Sequence, residues 1–413
     1  MSNAVPTQAS FHLLAKPTGA VCNLDCTYCF FLSKDALYPG DSMRMSNETL
    51  ESYLRQLLGC QPDGPVSIAW QGGEPTIMGL DFYRRVVELI EQFRRPNQTI
   101  EHTMQTNGTL LNESWVKFLK ANNVLVGLSM DGPKTMHDKY RVGKDGKGSF
   151  DDVLEAWRLL REHDVETNIL CSLHAGNADF PLEVYRFFRD ELGAQHLQFI
   201  PIIERATALN LDIAEKGWSD KPGRRRLLYK QEGNLVTTRS ITARQYGDFL
   251  TAVFDEWVKR DVGEIFVQLF DVTLGAHVGL YSLCVHAPTC GAALALEHNG
   301  DLYSCDHFVE PDHLLGNIHQ TPLIEMATSP QQISFGRDKA DSLPQMCRAC
   351  DVRFACNGGC PKDRFVSTPD GETGLNYLCD GFLNFFRHVD GPMKEMAKLV
   401  SQGRFADEIM TDS

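Results

Sequence analysis

The sequence predicts an α/β fold: a parallel sheet, open or barrel-like, with a smaller metal-organised domain appended to it. Two observations carry this reading. Between about residues 11 and 205, short apolar segments alternate with amphipathic helical ones, which is the pattern of βαβ units. Further on, eight of the thirteen cysteines fall between Cys284 and Cys379, among many glycines and few long periodic segments. A stretch so poor in regular elements needs a bound metal to tie it together.

The elements follow in order. Strand-like runs lie at 11–16, 66–70, 102–106, 124–130, 166–173 and 197–203, and helical periodicity at 48–58, 81–95, 112–121, 150–163 and 181–192. Ser46-Asn47-Glu48-Thr49 and Asn112-Glu113 mark helix starts, where a side-chain oxygen accepts from the unpaired amides of the first turn. Residues 206–240 are polar, rich in Lys, Arg and Gly, and without period. They read as a surface excursion, a candidate flap over the mouth of a barrel. Its Arg224-Arg225-Arg226 run reads first as a solvated loop, and second as an aid in steering a peptide partner. A helix at 243–259, a strand-like run at 264–270 and a C-terminal helix at 381–402 complete the expectation.

The net charge of −14 over 413 residues argues against coating nucleic acid or anionic lipid. The N-terminal residues MSNAVPTQAS lack a basic segment followed by an apolar one, and no apolar run reaches the roughly 18 residues a membrane span needs. The expectation is a cytoplasmic protein with no nucleic-acid and no membrane partner. In a reducing compartment cysteines ligate metals more readily than they pair.

Cys22, Cys26 and Cys29 form C-x3-C-x2-C directly after the first strand. Three thiolates can hold three irons of a [4Fe–4S] cube and leave the fourth iron open to a chelating small molecule. Spacing alone also allows a three-cysteine zinc site with a distant histidine, or unligated thiols. Gly72-Gly73-Glu74-Pro75 follows the second strand; its glycines permit close backbone approach to a ligand, and its carboxylate can accept from an ammonium group. Taken by itself it is a turn. Ser129 and Asp131 end the fourth strand, with Arg141 beyond; helix capping and a surface ion pair are the plainer readings of these three. Cys284, Cys290, Cys305, Cys347, Cys350, Cys356, Cys360 and Cys379 suit two fully ligated [4Fe–4S] clusters, or two zinc sites, and ligand count does not choose between them. Cys60 and Cys171 fall outside both groups and read as structural thiols.

With Tyr28 and Phe30 flanking the third cysteine, these elements in this order resemble the radical S-adenosylmethionine (SAM) superfamily, whose motif is C-x3-C-x-aromatic-C. The resemblance implies a partial (β/α)6 TIM-like radical SAM barrel over 8–245, a connecting helix and strand over 246–283, a cysteine-rich SPASM domain with two auxiliary clusters over 284–385, and a helix and tail over 386–413. It implies S-adenosyl-L-methionine held by Tyr28, Gln71, Gly72, Gly73, Glu74, Ser129, Asp131, Arg141 and Ile203. Of these, the Gly-Gly-Glu block would take the amino group, Ser129 and Asp131 the ribose, and Arg141 the carboxylate. It also implies interleaved ligation: Cys284, Cys290, Cys305 and Cys360 on one auxiliary cluster, Cys347, Cys350, Cys356 and Cys379 on the other.

A narrower resemblance spans nearly the whole chain. Cys26-Thr27-Tyr28-Cys29-Phe30, the block from Trp70 to Thr76, Gln105-Thr106-Asn107-Gly108, Cys305-Asp306-His307, Leu315-Gly316-Asn317-Ile318 and Leu375-Asn376-Tyr377-Leu378-Cys379 are similar to anaerobic sulfatase-maturating enzymes. That family oxidises a cysteine or serine in a C/S-x-P-x-R segment of an unfolded or nascent sulfatase to Cα-formylglycine. The resemblance implies three [4Fe–4S] clusters with SAM, Asp306 as the general base, and a flavodoxin- or ferredoxin-type electron donor. His307 and the other histidines read as structural. Two departures stand out. Phe31 replaces a tyrosine common in the family and so lacks a hydroxyl that can bond to the catalytic carboxylate. The 206–240 excursion is longer than in compact relatives. The rival readings are a SPASM maturase acting on another ribosomal peptide or protein, and a non-catalytic electron carrier or zinc-organised module. The first often carries an N-terminal recognition module, for which a first cysteine at 22 leaves no room; the second gives the Gly-Gly-Glu-Pro block no purpose.

Overall fold

The computed structural model describes residues 8–219 and 227–411, and the Arg224-Arg225-Arg226 run lies outside them. Six strands, β1 (His12–Lys16), β2 (Gly64–Trp70), β3 (Gln98–Thr106), β4 (Val124–Ser129), β5 (Thr167–Leu173) and β6 (His196–Pro201), lie side by side in chain order and all parallel. A helix follows each of the first five. The helices sit on the sheet through apolar stripes: Leu80–Phe93 buries Phe82, Tyr83, Val86, Leu89 and Ile90 at helical spacing. Ser46 accepts from the Thr49 amide, and Asn112 from those of Ser114 and Trp115, so both helix starts expected from sequence are capped. The last of these helices runs as an α-helix over Pro181–Arg186 and widens into a π-turn over Phe187–Glu191, which buries Phe187 and Phe188.

The sheet continues past both edges of this set. Phe266–Val267 pairs with β6, and Ala293–Glu297 pairs parallel with β1, His12 facing Ala293 and Lys16 facing Glu297. Asp301–Tyr303 and Leu314–Asn317 then add antiparallel strands, giving ten in all. The cysteine-rich segment thus enters the same sheet as the barrel strands. The strand-like run expected at 264–270 needs correction: only Phe266–Val267 is strand, and Gln268–His277 is helix. Leu269, Phe270, Val272, Thr273 and Ala276 are its buried positions, a helical spacing that so short an apolar run does not reveal.

The helix Ala243–Arg260 opens with a capping box between Thr242 and Gln245. The C-terminal helix Cys379–Ser401 crosses it at two glycines. A Cβ on Gly381 would meet the Ala243 carbonyl oxygen at 2.1 Å, and one on Gly247 would meet the Gly381 Cα at 2.9 Å. This close crossing fixes Cys379, the first residue of the helix.

The 206–240 segment is more than polar surface. Ala206, Ala214, Trp218 and Tyr229 form a small core of their own. At its base Glu204, 2% exposed, accepts from Arg239 at 2.7 and 2.8 Å, from Trp218 Nε1 and from Thr237 Oγ1. Among the described residues no helix is long and apolar enough to cross a membrane.

Candidate active site

The site gathers at the carboxyl ends of the parallel strands, where α/β barrels place their chemistry. Cys22, Cys26 and Cys29 sit on the loop leaving β1, close enough for their charges to act on one another. Burial raises all three thiols, that of Cys26 to about 12 against the opposing pull of Arg141. A bound metal's positive charge is what makes such thiols thiolates.

The turn after β2 is laced to the segment entering this loop. Gln71 donates its amide to Ala15 O at 2.9 Å, Gly73 to Gly19 O at 2.8 Å and Glu74 to Val21 O at 2.9 Å. Gly73 has no alternative there, since a Cβ would stand 2.1 Å from the Val21 carbonyl oxygen, and Gly72 adopts φ 126°. Glu74 is fully buried. Its Oε1 accepts from the Thr76 amide, Thr76 Oγ1 and Thr106 Oγ1, and its Oε2 from the Asn107 amide at 2.7 Å. Its carboxylate therefore ties the Gly-Gly-Glu-Pro turn to the Gln-Thr-Asn-Gly turn after β3. The Oε1 atom of Gln71 is buried and without a hydrogen-bond partner among the described residues, which suits a ligand carrying donors.

Ser129 Oγ accepts from Gln105 Nε2 at 3.0 Å. Asp131, fully buried, takes the Tyr28 hydroxyl at 2.6 Å, the Ser172 amide at 2.9 Å and Arg141 Nε at 2.9 Å, with His174 Nε2 at 3.5 Å. Burial alone would raise this carboxyl; Arg141 and His174 outweigh it and hold the group well below the ordinary range. Tyr28, Asp131 and Arg141 thus form one buried network, which Arg141 extends to Ser172 Oγ. Ile203 is buried just past β6.

Asp306 begins a single 3-10 turn, Asp306–Phe308, after the strand Asp301–Tyr303. It forms an ion pair with Lys16, the last residue of β1, which is 1% exposed. Burial would raise the Asp306 carboxyl, but Lys16, His307 and Lys34 bring it below the usual range. The Lys16 ammonium stands 3.9 Å from the centroid of the Phe31 ring. Phe31 thereby supplies a cation–π face to the partner of the carboxylate. Lys34, also buried, donates to the Tyr229 carbonyl at 2.7 Å, and burial lowers it to about 8. Sequence reasoning missed both lysines. The signal for Lys16 was a cation closing an apolar strand, His-Leu-Leu-Ala-Lys.

Described residues of the 206–240 segment touch this region. The Tyr229 ring lies 5.0 Å from that of Phe30 and its amide donates to Ser33 Oγ; Gln231 donates to Glu310 Oε1 and to the His307 carbonyl; just before the segment, Arg205 donates to the Lys362 carbonyl. Its described residues link the segment after the cysteine loop to the Asp306 turn.

The remaining thiols separate into two groups by their mutual charge. Cys284 acts on Cys290, Cys305 and Cys360. Cys356 and Cys379 each feel Cys347 and Cys350. Among the described residues no three His, Cys, Asp or Glu side chains converge on a single-ion site. Cys60 and Cys171 stand apart, buried at the end of the helix Asn47–Cys60 and within β5.

The radical SAM superfamily profile matches residues 17–187, and an iron–sulfur cluster-binding SPASM profile matches 288–351; the protein is a radical SAM enzyme with a SPASM domain. The chain is 44% identical over 397 residues to a serine-type anaerobic sulfatase-maturating enzyme of Bacteroides thetaiotaomicron, covering 95% of this chain and 92% of that one. It is 33% identical over 381 residues to a cysteine-type enzyme of Clostridium perfringens, covering 91% and 95%. The solved structure of native anSMEcpe with bound AdoMet and Cp18Cys peptide superposes with TM-score 0.79 at 31% identity, over 94% of this chain and 99% of that one. The chain belongs to the anaerobic sulfatase-maturating enzymes.

Proposed function

We propose that this enzyme oxidises the Cβ of a cysteine or serine in a C/S-x-P-x-R segment of an unfolded sulfatase to Cα-formylglycine. The observation that carries the reading is the Lys16–Asp306 ion pair at the end of β1, beside the Cys22, Cys26, Cys29 loop. Membership of the family supports the rest.

Cys22, Cys26 and Cys29 would hold the SAM-binding cluster, and the two groups of four thiols the auxiliary clusters. Gln71, with its orphaned amide oxygen, and the Gly72–Gly73–Glu74 turn would take the SAM amino group; Tyr28, Ser129, Asp131, Arg141 and Ile203 would line the remainder. When bound, SAM and the reduced cluster would supply hydrogen abstraction from the target Cβ, and the auxiliary clusters would take the second electron of the oxidation. Asp306, held ionised by Lys16, accepts the proton of the substrate thiol or hydroxyl. Lys16 and the Phe31 ring keep the carboxylate in place, and the 206–240 segment shields the region from water. A flavodoxin- or ferredoxin-type protein is the proposed electron donor. The barrel (8–245), connector (246–283), SPASM domain (284–385) and C-terminal helix and tail (386–413) are the proposed functional divisions.

The test is anaerobic incubation of reconstituted, reduced enzyme with SAM and peptides bearing C-x-P-x-R or S-x-P-x-R, followed by mass spectrometry. Formylglycine formation that Asp306→Asn abolishes is the expected result, and the better peptide identifies the target residue. 5′-Deoxyadenosine release with both peptides unchanged overturns the substrate and leaves the radical SAM class intact.

A further inference from the structure

Lys339 and Arg364 are cations that hydrogen-bond to main-chain carbonyls, and neither forms an ion pair among the described residues. Lys339 is fully buried and donates to the carbonyls of Cys284, Val285 and Ala287. Half-buried Arg364 donates to the carbonyls of Asn357, Gly358 and Gly359 at 2.8, 2.9 and 3.2 Å, and to that of Lys339 at 2.6 Å. The three residues it grips are those linking Cys356 to Cys360, and these two cysteines fall in different thiol groups. The Arg364 charge acts on Cys347 and Cys356 in one group and on Cys360 and Cys290 in the other, while that of Lys339 acts on Cys284, Cys290 and Cys360.

Carbonyl dipoles solvate a cation without neutralising it, and a buried charge lacking an opposite charge is costly. The negative charge within reach is that of the thiols, which as thiolates around a [4Fe–4S] core make a net anion. We infer that Lys339 and Arg364 are the counter-cations of the two auxiliary clusters and raise their reduction potentials, Lys339 acting on one cluster and Arg364 on both. Reduction adds negative charge to a cluster, and a fixed cation beside it favours that step. The inference rests on the cluster reading of the eight C-terminal cysteines.

Its test uses the full-length, anaerobically reconstituted enzyme, with iron analysis and redox titration followed by electron paramagnetic resonance. Wild type should hold about twelve irons per chain; about four would defeat the cluster reading itself, whatever the variants do. With full iron, Arg364→Gln should move both auxiliary midpoints to more negative potential and leave the SAM-binding cluster unmoved. Lys339→Gln should move only one auxiliary midpoint. Wild-type midpoints in a fully loaded Arg364→Gln overturn the inference. If that variant fails to take up iron, Arg364→Lys decides: restored iron and near-native midpoints support the inference, and failure to restore them overturns it.

Discussion

Lys16, the last residue of β1, forms an ion pair with Asp306, which lies in the turn after Asp301–Tyr303, a strand two places away in the sheet; between them stands Ala293–Glu297, whose Glu297 is in register with Lys16. Removing the lysine leaves a partly buried carboxylate without its ion-pair partner. The expected effect of Lys16→Met is about 3 kcal/mol of lost stability and about a tenfold fall in formylglycine made per 5′-deoxyadenosine released. Lys16→Arg should recover part of that ratio, since it keeps the charge. Paired quantification of both products by mass spectrometry checks this, and an unchanged ratio in Lys16→Met would remove the lysine from the mechanism.

Glu74 makes a separate prediction. Its carboxylate satisfies two backbone amides and two hydroxyls in a fully buried turn. Each donor left unpaired costs about 1–3 kcal/mol. Glu74→Ala should therefore lower the urea midpoint of the protein even without SAM. A variant that unfolds like wild type but no longer binds SAM would instead place the whole work of this residue on the ligand.

His298 gives a pH signature. It is 2% exposed, with Nδ1 3.4 Å from Glu297 Oε2 and Nε2 3.3 Å from Asp41 Oδ1. Burial opposes its charge, but Glu297 and Asp41 overcome it and raise its pKa. The stabilisation is complete below about 6.5, the ordinary histidine value, and is lost as pH rises through the higher folded value. The melting temperature should fall from pH 6 toward mildly alkaline pH, and His298→Gln should flatten that slope. Parallel slopes in the two proteins would refute the assignment.

Gly381→Ala should disturb the crossing of the C-terminal helix. The new methyl would lie 2.1 Å from the Ala243 carbonyl oxygen, so the helices must separate. Overpacking of this kind costs about 1–3 kcal/mol. Because Cys379 starts the same helix, iron bound per chain should fall together with the melting temperature. Full iron with a lowered melting temperature would show that Cys379 keeps its place despite the shift.

The six parallel strands are legible in the sequence because each is a short apolar run followed by a helical stripe. Strands such as β4, whose side chains alternate between buried and half-buried, carry that signal plainly. The cysteine groups and the Gly-Gly-Glu-Pro turn are legible because their chemistry is local. Lys16 is not, since its partner is brought to it only by the pairing of β1 with Ala293–Glu297, a contact far apart in sequence. That strand is itself hidden among loops and cysteines. The 206–240 segment hides its order for another reason: its core is four side chains spread over a polar stretch, held by one buried glutamate, and no window of sequence shows a period.

The pairing of Ala293–Glu297 with β1 also bears on how such enzymes can be recombined. A chimera that joined this barrel to the C-terminal half of a relative would have to rebuild a five-residue parallel ladder from two parental sequences. An error of one residue there would displace Asp306 by about 3.3 Å along the strand and turn alternate side chains to the wrong face. The natural unit of exchange is therefore the strand pair, with β1 travelling alongside the cysteine-rich half that it templates.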